Sequence, residues 1–526
     1  MTLIRLVHAE WTKLRSVRAR LVALVAAAVA MTLFSVLSAA GERRTCSGPA
    51  GCPRLVTGPD GRAVLDGYKF VGRPLDGDGT LTVRVGTLTG LLPPPGRALS
   101  VNGPPGVPLS EGRAGVQPWA KAGLIITEST GQGASYAAIM VAAGHGVRFQ
   151  YDYTHDIEGP AEPDDLPAQR WLRLIRSGDT VAGYASADGA AWTRVGTARL
   201  AGLSKVSGLS TPSGQSRTVR AGLFVASPQH SELTDHPFVT SGAVGPTLAT
   251  ARFSDLAVEG AWPDAEWTGQ TVGTPDGSYP ALPGSYHRLD DGSLQISGSG
   301  DIAPAVGGAE GAVVTVDHAL SGGFVALIMV VALGALSATS EYRRGLMRVT
   351  LSAVPRRGSV LAAKAVVVGG ATFLVMVPAA ALSLLLGRRA LEANHNLLYS
   401  VGVATELRVV VGTAGLIAVA AVLALALGVI TRRSGPAITI AVVAVVVPYV
   451  LFQALPAEAS EWLLRVTPTA ALAIQQTLPV YHQVDIAYTP VNGYYPLSPW
   501  AGFAVLCAYA AGTLAVAAVV FRRRDS

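Results

Sequence analysis

Lysine and cysteine are nearly missing from this chain of 526 residues, which holds five lysines and three cysteines. None of Lys13, Lys69, Lys121, Lys205 and Lys364 follows a glycine. The Gly-Lys-Ser/Thr that closes a phosphate-cradling P-loop is therefore absent, and the chain does not bind ATP by that route. No histidine pair has the helical metalloprotease spacing, no serine stands in a nucleophile-elbow pattern, and no Gly-x-Gly-x-x-Gly occurs. The familiar signatures of zinc, serine and dinucleotide enzymes are thus excluded. Charge is also scarce, 14% against 50% hydrophobic residues, which is low for a soluble protein. The net charge of +6 does not point to nucleic acid, because the basic residues sit beside apolar runs instead of gathering on a soluble face. The imbalance points to a membrane.

Stretches long enough to cross the ~30 Å hydrocarbon layer as helices of about 20 residues occur at 21–40, 319–340, 365–387, 409–431 and 434–457, with a further one within 486–521. The first is too long for a signal peptide and lacks a clean small-residue cleavage pattern, so it reads as a retained helix. Basic residues cross membranes reluctantly, which orients the chain. With the N-terminus inside, sixteen Lys and Arg fall in inner segments, among them Arg5, Arg343, Arg356, Lys364, Arg432 and Arg522, against Arg388, Arg389, Arg408 and Arg465 in short outer loops. Six spans then put both termini in the cytoplasm of a multi-pass plasma-membrane protein and residues 41–318 outside the cell. Ionisable residues are almost missing from the middle of the spans, which argues against ion-coupled transport by this chain alone. Glu341, at the inner end of the second span, reads as a carboxylate hydrated at the interface.

Between about 64 and 259 the text changes to short alternating strands punctuated by Gly, Asp and Pro, as in "LTVRV" at 81, "AGLIITE" at 122, "RWLRLIRSG" at 170 and "VRAGLFVAS" at 219. This pattern predicts an antiparallel β-sandwich over 41–259 with an N-terminal linker. A shorter β-rich segment at 260–318 either completes the sandwich or forms a stalk beside the membrane. Asp188-Gly189 suits a tight hairpin turn. Cys46 and Cys52 can close a small disulfide loop if their Gly/Pro-rich stretch is extracytoplasmic. A zinc site there lacks a nearby histidine. Asp152, His155, Asp156, Glu158, Glu162, Asp164 and Asp165 gather in one oxygen-rich run without an EF-hand-like spacing, and a solvated loop is preferred to calcium. Trp119, Tyr151, Tyr153 and Trp171 are candidates for contact with a sugar, but buried sandwich aromatics are the simpler reading.

The series "KAGLIITE", "YAAIMVAAGHGVRFQYDY" and "RWLRLIRSGDTVAGYASADGAAWTRVG" resembles extracellular concanavalin-A-like, laminin-G-like jelly-roll domains. "AEWTKLRSVRARLVALV" and "ATSEYRRGLMRVTLSAVPRRGSVLAAKAVVVGGATFLV" resemble actinobacterial permease subunits of ABC-2-type transporters, over 1–40 and 319–526. Together they imply a multidomain α + β membrane protein: a six-helix ABC-2-type transmembrane domain with an all-β sandwich inserted between spans one and two. The roughly 280-residue outer insertion departs from the simplest members.

The second resemblance implies ATP and Mg on a separate ATP-binding cassette subunit and no cofactor or catalytic site in this chain. It also implies a second permease copy or a related permease, and export of a substrate whose identity the resemblance does not carry. A cytoplasmic loop, 341–364, would touch the ATPase through Glu341, Tyr342, Arg343, Arg344 and Arg348. Within it Met347, Leu351 and Val354 share one face of a short helix ended by Pro355. An interfacial N-terminal helix is also implied. Leu3, Val7, Trp11 and Leu14 fall on one face, Arg5, Lys13, Arg15 and Arg18 suit lipid head groups, and Glu10 intrudes on the apolar face. A rival reading is a membrane-anchored extracellular protein that binds glycan or a partner; it must explain six spans where one would tether a sandwich. An outer glycan hydrolase lacks an evident carboxylate pair.

Overall fold

A computed structural model describes residues 3–42, 56–94, 97–100, 106–160, 169–200, 218–236, 239–274, 279–307, 313–343, 345, 356–452, 455, 457–484 and 488–524. Cys46, Cys52, Arg344, Met347, Arg348, Leu351 and Val354 lie outside these residues, as do Glu162, Asp164 and Asp165. The helices are α1 (Leu3–Ser16), α2 (Arg18–Gly41), α3 (Gly323–Arg343), α4 (Arg357–Ala393), α5 (Val403–Thr431), α6 (Ser434–Leu451), the short α7 (Ala457–Val466) and α8 (Pro499–Arg524). Six of them, α2 to α6 and α8, are long and apolar enough to cross a membrane. The chain is a multi-pass membrane protein of mixed α and β structure.

The bundle is organised around α5, which packs on α3, α4, α6 and α8. Lipid tails are as apolar as the helices, so close backbone approach has to hold such helices together. Small residues provide it. A Cβ placed on Gly334 of α3 would lie 2.3 Å from the Ala421 carbonyl oxygen of α5, a contact only glycine permits. Helix α4 has 37 residues, about 55 Å at 1.5 Å per residue, far more than the ~30 Å hydrocarbon layer. It therefore tilts or carries its ends beyond the lipid, and Lys364 sits two turns from its start.

Between α2 and α3 the described residues form two large antiparallel sheets and two strand pairs, Val64–Asp66 with Ile302–Pro304 and His230–His236 with Val239–Gly245. One large sheet runs Thr193–Arg199, Thr180–Ser186, Arg170–Ser177, Gly79–Val85, Leu248–Gly260, Leu294–Gly298, Ser285–Arg288, with Thr89–Leu92 also on Leu248–Gly260 and Arg113–Ala114 on Thr89–Leu92. The other runs Thr268–Val272, Tyr68–Leu75, Val219–Ala226, Lys121–Thr127, Tyr136–Ala142, Gly146–Tyr151, His155–Glu158. Alternation builds the core: Leu81, Val83 and Val85 on one strand and Leu172 and Leu174 on its neighbour turn inward against Leu124, Ile126 and Leu223 of the facing sheet. Strands from 268 to 298 extend both sheets. Asp188-Gly189 lies in a six-residue connection, wider than a tight hairpin, in which the Asp188 carboxylate accepts from the Ala190 and Ala191 amides at 2.8 and 2.9 Å.

The outer face of the second sheet is itself covered, which explains why Lys121–Thr127 is buried along its whole length. Phe70, Ile125, Tyr136, Tyr153 and Phe224 form this second apolar layer. Lys121, fully buried there, pairs with Asp301 at 2.6 Å. Beyond it the β region is seated on the membrane bundle. Ala63, Ala303 and Val306 pack with Tyr399, Leu478, Tyr481 and Tyr494, the Arg62 guanidinium donates to the Tyr481 hydroxyl at 3.0 Å, and the Gln483 amide donates to the Tyr153 carbonyl at 3.3 Å.

Asp66, buried in the same layer, accepts from the Gly133 amide at 2.8 Å. Burial pushes its carboxyl up to about 7, against the Gly133 amide and the Tyr153 hydroxyl, which lower it. The folded form thus holds a proton more tightly than an unfolded chain, where an aspartate titrates near ~3.9. The associated stability is full below that value and is lost as pH rises through about 7, an effect of roughly 4 kcal/mol by proton linkage. Hydrogen exchange of residues 64–75, corrected for the intrinsic rate, is expected to report weaker protection at pH 8 than at pH 5.5. Asp66→Asn should flatten that slope, and an unchanged slope in the variant would assign the effect elsewhere.

Candidate functional site: a buried ion cluster at one end of the bundle

Helix α1 places Leu6, Glu10 and Leu14 on its buried face. Their spacing of four stacks them on one stripe. Leu6 packs with Val360 and Ala363 of α4, which brings Glu10 over the next residue, Lys364. The Lys364 ammonium lies 2.8 Å from Glu10 Oε2 and 2.6 Å from Glu341 Oε1 at the end of α3. Lys13 holds the other oxygen of Glu10 at 2.7 Å. The side chains of Lys364, Glu10 and Glu341 are 4%, 8% and 5% exposed, so the cluster is shut off from water. Burial alone would raise the Glu10 carboxyl, but the ammonium groups of Lys364 and Lys13 overcome it and hold the carboxyl below its ordinary value.

Two further contacts bind the same end of the bundle. Arg20 at the start of α2 donates to the Ser340 hydroxyl of α3 at 3.0 Å, and Arg357 at the start of α4 donates to the carbonyls of Phe521 and Arg522 of α8 at 3.2 and 2.9 Å. The Arg432 guanidinium, in the connection between α5 and α6, stands over the Tyr342 ring, 5.2 Å from its centroid. The two described flanks of the stretch 341–364 are therefore both anchored: Glu341 and Tyr342 on one side, Arg357 and Lys364 on the other.

Of the interfacial residues expected on one face, Leu14 is buried, Val7 is half-buried, and Leu3 and Trp11 are exposed. The face that packs on protein is the one carrying Glu10, and Leu3, Ile4 and Trp11 remain uncovered. Glu341 is not a hydrated interfacial carboxylate but a buried partner of Lys364. Sequence reasoning missed Glu10 and Lys364 as a pair. The signal was present: a charge on an apolar stripe and a charge near an apolar run each need a partner.

In the β region, Trp119 and Tyr153 are buried, whereas Tyr151 and Trp171 are half-buried. Trp119 stacks on His145 with centroids 3.7 Å apart. Asp152 accepts from the Ser135 hydroxyl at 2.6 Å, and Asp156 is engaged by Arg148 and by the Gln150 amide at 2.9 Å. Among the described residues no group of three or more His, Cys, Asp or Glu is placed to hold a metal ion.

The family described as "ABC-2 family transporter protein" matches residues 216–526, from the strand Val219–Ala226 to the end of α8. No curated protein matches the chain. Among solved structures, scytalido-glutamic peptidase with a transition state analog inhibitor is 9% identical over 44% of this chain and 98% of that one, with a TM-score of 0.25. SCP-B, a member of the Eqolisin family of peptidases, is 10% identical over 45% and 98%, with a TM-score of 0.23. The GH43 protein BlXynB from Bacillus licheniformis is 12% identical over 28% of this chain, with a TM-score of 0.17; the match spans 24% of that protein's length. Likenesses this distant say nothing about what the chain does.

Removing one member of a buried ion cluster leaves the others charged without compensation, at a cost of about 3–5 kcal/mol, whereas replacing all members by apolar residues costs far less. Lys364→Met is therefore expected to lower the thermal unfolding midpoint of the purified full chain by several degrees and to speed proteolysis near Ser16. The combination Glu10→Leu, Lys364→Met, Glu341→Leu should recover most of the loss. A single variant as stable as the parent would show that the cluster does not hold α1 in place.

Proposed function

We propose that this chain, which belongs to the ABC-2 family of transporter proteins, is a permease subunit that moves its substrate outward across the plasma membrane using ATP hydrolysed on a separate subunit. The observation that carries the reading is the buried cluster of Glu10, Lys364 and Glu341. It ties α1, α3 and α4 together on both sides of the stretch 341–364, the segment that resembles an ATPase-contacting loop. A push on that stretch reaches the membrane helices only if its ends are stiff, since a loose loop would absorb the displacement. A buried ammonium between two carboxylates supplies that stiffness.

We assign the cluster to the cytoplasmic side, with both termini there and residues 41–318 outside. The excess of basic residues in the inner segments supports this. Two exceptions are muted by pairing: Arg388 is bonded to Glu406 and Arg465 to Glu461, so neither is a free positive charge. We assign the β region to a jelly roll of the concanavalin-A-like kind, and the working assembly to two permease chains and two ATP-binding subunits. The rival, a membrane-anchored binder of glycan or a partner, gives the buried cluster no task.

The ATPase contact is tested on the complex of the full chain with its ATP-binding cassette subunit. Arg343→Gln, Arg344→Gln, Met347→Asp and Leu351→Asp together are expected to reduce co-purification and ATP turnover at least fivefold while membrane insertion is retained. Lys364→Met, by contrast, should leave co-purification intact and reduce only the ATP turnover that depends on the permease. If both quantities survive the fourfold change, the stretch 341–364 is not the contact.

A further inference from the structure

At the end of the bundle that carries the β region lies a cavity of about 260 Å³, close to the smallest small-molecule sites, which run from ~300 Å³ upward. It opens between the entry to α3, the middle of α5, the last turns of α6 and the buried 3-10 run Pro468–Gln475. Its lining is mixed. Phe324, Leu327, Leu416, Ile417 and Leu472 are apolar, and Asp317, Ser321, Thr413, Gln475, Tyr449 and Tyr495 carry polar groups. Among the described lining residues there is no lysine or arginine, and the basic group next to Asp317 is the imidazole of His318.

The polar side is incompletely satisfied. Gln475 donates its amide to the Thr413 hydroxyl at 3.0 Å, and the Thr315 hydroxyl is 3.2 Å from His318 Nδ1. By contrast, Asp317 Oδ1 and the Ser321 hydroxyl are both shut off from solvent with no hydrogen-bond partner. A carboxylate oxygen and a hydroxyl buried without a partner beside the hollow are costly to leave bare. Phe324 and Tyr449, with ring centroids 4.8 Å apart, add aromatic surface of the kind that attracts cations.

We propose that this cavity binds a small organic ammonium cation with an apolar body. The ammonium N–H groups donate to Asp317 Oδ1 and to the Ser321 hydroxyl oxygen, and the body lies against Phe324, Leu327 and Leu416. A carboxylate that has only the neighbouring His318 imidazole and no Lys or Arg among the described lining residues selects charge, and the mixed lining selects an amphipathic shape. This inference goes beyond the transport reading and does not depend on it: a ligand can sit here with no ATP and no partner subunit present.

The test uses the full-length protein in nanodiscs of zwitterionic lipid, with radiolabelled phenethylammonium as probe in equilibrium dialysis. Binding is expected to saturate at one probe per chain. The neutral isostere 2-phenylethanol and the anion phenylacetate should each compete at least tenfold more weakly. Asp317→Asn should weaken binding at least tenfold, and Leu327→Trp, which fills the hollow, should abolish it. Absence of saturation, meaning that the cavity holds only water, overturns the proposal, as does equal competition by the alcohol or equal binding by Asp317→Asn. The comparison of amine with alcohol needs no variant, so misfolding of a mutant cannot rescue the idea. A transport reading that fails would leave these results untouched, and failure here would leave the ATPase contact untouched.

Discussion

A lysine ammonium with almost no access to water holds one end of this molecule together. Lys364 stands near the start of the longest helix, where neither lipid nor bulk water compensates its charge, so the carboxylates of Glu10 and Glu341 must come to it. Each belongs to a different helix. The need of one charge for partners therefore fixes three elements at once: α1 cannot lift off, and α3 and α4 cannot slide past each other, without exposing an uncompensated ion in a medium of low polarity. Hydrophobic packing alone would not impose this, because apolar faces in a membrane can rotate or shift at little cost.

The rest of the bundle follows from a second constraint, close backbone approach. Gly334 admits the Ala421 carbonyl of α5, so α3 and α5 meet with no side chain between them. With α3 fixed at one end by Glu341 and along its length by α5, its opposite end becomes the boundary at which the β region meets the membrane. The seat there is of another kind. Tyr399, Tyr481 and Tyr494 form an apolar pad with phenolic edges, and Arg62 of the β region closes on Tyr481. Aromatic rings with one polar tip suit a surface that is partly wet. The two ends of the bundle thus differ chemically: buried ions at one, aromatic and hydrogen-bonded contacts at the other.

Much of this was legible in the sequence, for identifiable reasons. Uncharged runs mark helices that must satisfy their own backbone in lipid, and all six expected spans are found as long apolar helices. Strands such as Gly79–Val85, whose burial alternates residue by residue, announce themselves by period two. The errors arise where a charge is buried. Lys364 read as the end of a loop because hydropathy treats every lysine as hydrated, yet α4 begins at Arg357 and contains it. Glu10 read as an intruder on the stripe of Leu3, Val7, Trp11 and Leu14, whereas the packed stripe is Leu6, Glu10 and Leu14. Pattern reading assigns faces by polarity, and an ion pair across helices inverts that rule: a charge on an apolar stripe says that a partner is needed but not where in the chain it lies.

The same reasoning separates a charge that builds from a charge that waits. Lys364 and Lys13 together balance the carboxylates of Glu10 and Glu341, and Lys121 balances Asp301 inside the β region at 2.6 Å. Each charge in these clusters has an opposite one beside it, although Glu341 Oε2 has no hydrogen bond of its own, so the charges are spent on holding elements in register. Asp317 differs from both. It stands beside a hollow whose described lining holds no Lys or Arg, and its Oδ1 has no partner. A buried carboxylate oxygen without a partner, beside a hollow whose described lining offers it the His318 imidazole but no Lys or Arg, suits a cation that comes from outside the chain.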